Sequence, residues 1–171
     1  SKTPAGPNYG MRSSDGAMYQ NNKLGLTSLH ARPSNTAMVS EKILGDGSNG
    51  ISTVISDTYR PGTYPNTPDE ATQQCRAANV SDLSLQGVSN VGAPWLQPYH
   101  STTQYYHVLP PNDRSCMYPP GRIATTAGSR HTGGVQSLLC DGSVRFISSY
   151  VDLTAWRAVG SRAGGEPPRE F

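Results

Sequence analysis

Histidines and serines are the residue types through which this chain could do chemistry, and their spacing defines no site. The four histidines, at positions 30, 100, 107 and 131, form no H-x-H or H-E-x-x-H pair. Ser48 lacks the glycine two positions upstream that a nucleophile elbow requires, and glycine-rich phosphate loops are absent from the sequence. The sequence therefore predicts no enzyme, no metal site and no cofactor.

The three cysteines form no C-x-x-C pair, which argues against a zinc ribbon or a thioredoxin-like redox centre. Cys75 and Cys116 both lie in polar, turn-rich sequence, a setting typical of disulfide-bonded cysteines in exported domains. They are therefore the candidate disulfide. Cys140 ends an apolar run and is expected to be a small buried thiol, unless it pairs with a cysteine upstream of this sequence.

The composition indicates a folded, loop-rich β protein. The chain has 171 residues, with 18 Gly, 14 Pro and only 35% hydrophobic residues, which argues against a helical bundle or a doubly wound α/β core. Nine Tyr, two Trp and two Phe supply core material, and a charged share of 15% is low for a disordered chain. We expect a single globular domain over residues 1–171.

Charge and hydropathy exclude two classes of partner. The net charge is +2 and the arginines are scattered, so no basic stripe favours a nucleic acid. The longest apolar run, at 135–140, is the length of a strand and falls far short of the roughly 18 residues of a membrane span. The sequence as given therefore predicts contact with neither nucleic acid nor membrane.

The secondary structure is predicted from turn residues and apolar periodicity. Strand-like segments occur at 17–19 and 24–27, a central strand is expected at 36–44, and alternation at 103–109 predicts another strand. Residues 45–98 are expected to form a long insertion that decorates the sheet, with a helix at 67–78 that begins with Thr67 and Pro68.

The most informative stretch surrounds Asp141-Gly142. Apolar runs at 134–140 and 143–147 flank this dipeptide, and such a pattern predicts a β-hairpin with a type I′ turn. Asp152 is then expected to cap a short amphipathic helix over 153–162, with Gly164-Gly165 ending it.

Several motifs together resemble a known family. They are His131-x9-Asp141-Gly142, the segments Ser129–Val135 and Asp141–Phe146, and Arg162–Glu166. This pattern resembles the H-x9-DG C-terminal region of bacterial prepilin-like proteins of domain-of-unknown-function family 1559. Ser34–Glu41 is similar to the later part of that family's D-G-T-S-N-T-hydrophobic-E segment, with Ala31-Arg32-Pro33 in place of D-G-T.

The resemblance implies an α+β, mainly β fold: an antiparallel pilin-like sheet with a loop-rich insertion, a C-terminal hairpin and a short helix. It further implies an exported, pseudopilin-like head, held outside the cytoplasmic membrane by an N-terminal hydrophobic helix that this sequence lacks. The implied partners are other copies of the chain or other pilin-like subunits.

The functional expectation is a structural subunit of a pilus-like filament or of a secretion or surface assembly. In that case His131, Asp141 and Gly142 are structural: Asp141 and Gly142 form the turn, and His131 fixes the start of the strand by bonding a backbone group or a carboxylate. A ligand site at this motif is the alternative. A rival function is an extracellular module that binds a small solute or glycan by stacking on aromatic rings, the candidates being Trp95, Tyr99, Tyr105 and Tyr106.

Overall fold

The computed structural model describes residues 16–18, 25–29, 33–93, 96 and 102–162. Within these residues the fold is α+β and mainly sheet. The strands are β1 (Ala37–Ser40), β2 (Thr58–Tyr59), β3 (Ser115–Tyr118), β4 (Arg122–Ala124), β5 (Gly134–Leu139) and β6 (Val144–Ser148). The helices are α1 (Pro68–Ala77) and α2 (Leu153–Val159), and 3₁₀ turns occupy Leu26–Ser28, Pro33–Asn35 and Leu83–Leu85.

The first sheet, called here the hairpin sheet, has the antiparallel order β1-β5-β6. The strand expected at 36–44 is therefore an edge strand, not a central one, and it ends at Ser40. The backbone hydrogen bonds of Glu41 explain why the pairing of β1 with β5 ends there. Its N–H still donates to the carbonyl of Gln136 in β5, but its carbonyl accepts from Gly128, so the chain leaves the sheet there.

The predicted hairpin is confirmed, but its predicted turn type is wrong. Leu138 pairs with Val144, Leu139 N–H donates to Ser143 O at 2.8 Å, and residues 140–142 form the loop. Only Gly142 in this loop has a positive φ, +87°, whereas a type I′ turn needs two such residues. The extra loop residue explains the difference, because a turn of this length needs a single left-handed position.

The second sheet has the order β2-β3-β4, with β2 parallel to β3 and β3 antiparallel to β4. Helix α1 packs against it, and Thr67 caps that helix as predicted, accepting a hydrogen bond from Glu70 N–H at 3.1 Å. Residues 45–98 therefore do not merely decorate a sheet. They supply β2, α1 and several fully buried side chains of one core, which we call the disulfide core: Tyr59, Ala71 and Cys75 pack there with Cys116, Tyr118 and Ile123.

Residues 103–109 do not form the predicted strand. Their backbone groups bond to several different elements: Tyr106 N–H donates to Thr125 O, Leu109 O accepts from the Trp156 indole, and Val108 O accepts from Thr72 Oγ1. Residues 106–109 are all buried, because the segment runs between two cores. One is the disulfide core; the other, the hairpin core, contains Ala127, Val135, Ile147 and Trp156.

Helix α2 begins after Asp152 as predicted, and Asp152 Oδ1 accepts from Ala155 N–H at 2.9 Å. It ends at Val159, earlier than expected, with Gly160 as its C-cap. Gly160 is required for packing, because a Cβ there would lie 2.5 Å from the ring of His107.

Outcomes differ for the remaining predictions. Residues 16–18 form a bend and Leu26–Ser28 a 3₁₀ turn, so the strand-like segment at 24–27 was wrong as far as it is described. Trp95 and Tyr99 lie outside the described residues. No helix in the described ranges is long and apolar enough to cross a membrane.

Candidate functional site

The two segments that carry the family resemblance meet at the base of the hairpin. His131 Nε2 lies 3.2 Å from Glu41 Oε1, and Glu41 Oε2 accepts from Gln136 N–H at 2.7 Å. His131 itself is anchored through its backbone, since its N–H donates to Ser129 Oγ, which in turn donates to Gly134 O at 2.7 Å. His131 thus joins the start of β5 to the end of β1 through a carboxylate.

His131 and Asp141 do not form a pair. They lie beyond opposite ends of β5, whose six residues, at about 3.3 Å each, separate them. Asp141 instead completes the loop, and its Oδ1 accepts from both the N–H and the hydroxyl of Ser143. These hydrogen bonds lower the pKa of Asp141. In the part of the chain that the structure describes, no group of three His, Cys, Asp or Glu residues could hold a metal ion.

Asn112 is a positioning residue that sequence reasoning missed. Its backbone is left-handed, with φ +64°, and its amide Nδ2 donates to Gly134 O at 3.2 Å and Ser149 Oγ at 3.1 Å. Its Oδ1 accepts from Ser129 N–H at 2.8 Å. Asn112 therefore fixes both ends of the hairpin base. The available signal was the turn-forming Pro-Asn-Asp segment, because asparagine tolerates positive φ better than most residues other than glycine.

Lys42, which follows β1, has a buried ammonium group with an unusual pKa. Its Nζ donates to Ser115 Oγ at 3.3 Å, across the space between β1 and the second sheet. Burial lowers the pKa of Lys42 to about 8, and the nearby Asp57 partly opposes this shift. Asp57 is fully buried, which raises its pKa, while its Oδ2 accepts from Thr53 N–H and Gln86 Nε2, each at 2.7 Å.

Glu41 and His131 border an open groove, which we call the hairpin-base groove. It has a volume of about 550 Å³. Its lining comes from the segment that follows β1 and the segment that precedes β5: Glu41, Lys42, Ile43 and Leu44 on one side, and Gly128, Ser129, Arg130 and His131 on the other. Polar and cationic groups therefore share one groove with two aliphatic side chains.

The other predicted site residues lie elsewhere. Tyr106 is 4% exposed, and Tyr105 packs against the hairpin core, so neither offers a ring face for stacking a ligand. Both rings pack in the protein interior, because the 103–109 segment runs between the two cores. Cys75 and Cys116 form a disulfide that joins α1 to β3, the pairing expected from the sequence, and Cys140 is a half-buried free thiol.

His107 is the one other histidine among the described residues, and it is a core residue. Its Nδ1 lies 2.8 Å from Trp156 O, and the two ring centroids are 3.9 Å apart. Burial lowers the pKa of His107 to about 3. The imidazole is therefore neutral at pH 7 and serves as a hydrogen-bond donor to α2.

Comparison with known proteins gives one match. Residues 2–154 match the model of a family described as "Protein of unknown function (DUF1559)". No curated protein and no solved structure matches the chain.

Proposed function

The chain belongs to the DUF1559 family, and we propose that it is the extracytoplasmic head of a pseudopilin-like structural subunit. The subunit assembles with further copies of itself into a pilus-like filament or a related secretion or surface assembly. The observation that carries this proposal is the outer face of the hairpin sheet.

That outer face is apolar and exposed. Val39, Leu138 and Val144 form one row across the three strands, and Val39 and Val144 are 49% and 61% exposed. Phe146 lies in the neighbouring row and is 46% exposed. Its ring covers Gly134, where a Cβ would lie 2.6 Å from the ring. Apolar side chains grouped on one exposed face are typical of a surface that binds another protein.

Strand β6 also has an open edge. Leu139 and Ser143 form a hydrogen-bonded pair. Hydrogen-bonded and non-hydrogen-bonded pairs alternate along antiparallel strands, so the backbone N–H and C=O groups of Val144 and Phe146 point away from β5. Among the described strands, none pairs with this side of β6. An unpaired edge beside exposed apolar side chains favours the addition of a strand from a second copy.

The disulfide supports the extracytoplasmic location. Disulfides form and persist in oxidising compartments, whereas cytosolic thiols are generally kept reduced. The Cys75–Cys116 bridge is of the kind found in exported domains.

The proposal is tested by self-association. We expect the oxidised wild-type protein to associate with increasing concentration in sedimentation velocity, and the double variant Val144→Thr, Phe146→Thr to remain monomeric. Threonine keeps the β propensity of the strand while removing apolar surface. Ile51→Thr is the control, since Ile51, at 64%, is at least as exposed as either residue but lies outside the sheet. A wild-type protein that stays monomeric, or a double variant that associates equally well, would contradict the proposal.

The hairpin-base groove favours a second candidate function, a small-solute binding module. Its volume falls within the range of about 300–1,000 Å³ that is typical of small-ligand sites. Of the aromatic rings expected to stack a glycan, Tyr105 and Tyr106 do not support this candidate, because both belong to the cores.

A further inference from the structure

The hairpin sheet has two unlike edges, β1 and β6, and among the strands that the structure describes none pairs with the outer side of either. In β1, Glu41 N–H bonds to β5 just beyond the strand, so by alternation the backbone groups of Ser40 point away from β5. Proline and charged side chains commonly block a sheet edge, and β1 has neither. Its bulge between Ala37 and Val39 shortens the edge but leaves Val39 and Ser40 in register with β5.

An apolar row crosses the sheet from one of these edges to the other. It consists of Val39, Leu138 and Val144, and it ends in an exposed valine on both sides, 49% exposed in β1 and 61% exposed in β6. A second copy that was placed edge to edge would continue the row, with Val144 beside the partner's Val39. Cross-strand pairs of β-branched side chains stabilise a sheet, so the two edges are complementary to each other.

The charge on β6 disfavours the pairing of this strand with itself. The outward backbone groups of β6 belong to Val144 and Phe146, and Arg145 lies between them. If two β6 strands paired antiparallel through these groups, Arg145 would lie opposite the partner's Arg145. Like charges directly opposite each other destabilise a sheet. Strand β1 contains no charged residue, so it accepts β6 without this repulsion.

We propose that the subunits join head to tail through the hairpin sheet, with β6 of one copy pairing with β1 of the next. Since β1 and β6 both run antiparallel to β5, they are parallel to each other, and the new pair is parallel when the outer faces stay on one side. Contact between unlike edges leaves one edge open at each end, so the assembly propagates as a filament instead of closing as a dimer. This inference rests on the proposed self-assembly and specifies the two surfaces that meet.

The test blocks one edge at a time. A lysine is a natural guard of an edge strand, so Val39→Lys blocks β1 and Val144→Lys blocks β6, and both sites are exposed enough to hold a charge. In sedimentation velocity, at a concentration where the wild type associates, we expect each variant alone to be monomeric. Their equimolar mixture should form dimers and nothing larger, because one open edge of each kind remains. Ile51→Lys, at an exposed site outside the sheet, is the control and should assemble as the wild type does.

The outcomes separate this inference from the assembly proposal. If Val39→Lys alone associates as the wild type does, β1 is not part of the contact and the head-to-tail arrangement is wrong. If the wild type associates but the mixture stays monomeric, self-assembly stands and only the pairing of β6 with β1 is overturned. A wild type that stays monomeric would overturn both. Urea unfolding of each lysine variant checks that it is folded at the start.

Cross-linking gives a second measurement that does not depend on the lysine variants. The Cys75–Cys116 bridge leaves Cys140 as the free thiol, so in a Cys140→Ala background a short bismaleimide reacts only with an introduced cysteine. We expect a mixture of Val39→Cys and Val144→Cys to give cross-linked dimers, the variant with both changes to give a ladder, and neither single variant to cross-link alone.

Ile51→Cys mixed with Val144→Cys measures random collisions, because Ile51 lies outside the sheet. Dimers formed by Val144→Cys alone, above that background, would show β6 pairing with itself and overturn the proposal. A mixture of Val39→Cys and Val144→Cys that does not exceed the background, under conditions where both variants associate, would overturn it as well.

Discussion

At the scale of single residues, the role of a side chain depends on the residue that it contacts more than on its own type. His131 was expected to bond a backbone group or a carboxylate at the start of the hairpin, and its partner is Glu41, far upstream in the chain. A single sequence does not reveal that partner, because the contact depends on β1 pairing with β5. Asn112 was missed for the same reason, since its three side-chain hydrogen bonds all reach residues of the hairpin base.

Because His107 is buried and neutral, we expect the folded protein to lose stability in acid. Its pKa is about 6.5 in the unfolded chain and about 3 in the folded protein, so between these values the unfolded state binds more protons. The free energy of unfolding must therefore fall as the pH falls from 6.5 towards 3. At pH 4.5 the loss from this residue is about 2–3 kcal/mol relative to pH 7.

Urea unfolding of the wild type and His107→Asn at pH 7 and pH 4.5 measures this loss. Asparagine retains a donor for Trp156 O but does not titrate, so the variant, although less stable at pH 7, should lose about 2–3 kcal/mol less on acidification. Losses shared by both proteins come from other groups, including the acidic residues. Parallel pH profiles for the two proteins would show that His107 is not the acid-sensitive group.

At the scale of elements, local signals predicted those elements that depend on local contacts. The caps of α1 and α2 and the Asp141-Gly142 hairpin need only neighbouring residues, and all were predicted. The β3–β4 hairpin was missed, because its short strands flank Pro119-Pro120-Gly121, which indicates a turn but not what it connects. The false strand at 103–109 is the converse case: its side chains pack into two cores, and its backbone groups bond to several elements instead of to one neighbouring strand.

Gly142 offers a direct test of the hairpin loop. At φ +87° a valine is strained, and since no atom lies within 4 Å of the added Cβ, the cost comes from the backbone and not from a collision. We expect Gly142→Val to lower the free energy of unfolding by about 2 kcal/mol or more, and Gly142→Asn by clearly less, because asparagine tolerates positive φ. Thermal and urea unfolding compare the three proteins. Equal stability of the valine and asparagine variants would contradict the left-handed loop position.

At the scale of the whole molecule, α2 connects the two cores. Trp156 is buried in the hairpin core, and its indole N–H donates at 2.8 Å to the carbonyl of Leu109, a residue of the disulfide core. Arg157 reaches in the same direction, with an ion pair to Asp69 at 2.6 Å and hydrogen bonds to Val108 O. Because these contacts cross from one core to the other, we infer that the two cores unfold as one cooperative unit.

This cooperativity can be tested through the disulfide, which lies in only one of the cores. The bridge joins residues 41 apart, and its loss is expected to lower the free energy of unfolding by about 2–4 kcal/mol through the entropy of the unfolded chain. In the double variant Cys75→Ala, Cys116→Ala, hydrogen exchange should accelerate by the same factor in β3 and in β5, although β5 belongs to the other sheet. Cys140→Ala, which alters a free thiol, is the control and should change both strands little. If β5 keeps its protection while β3 loses it, the cores unfold separately and α2 does not couple them.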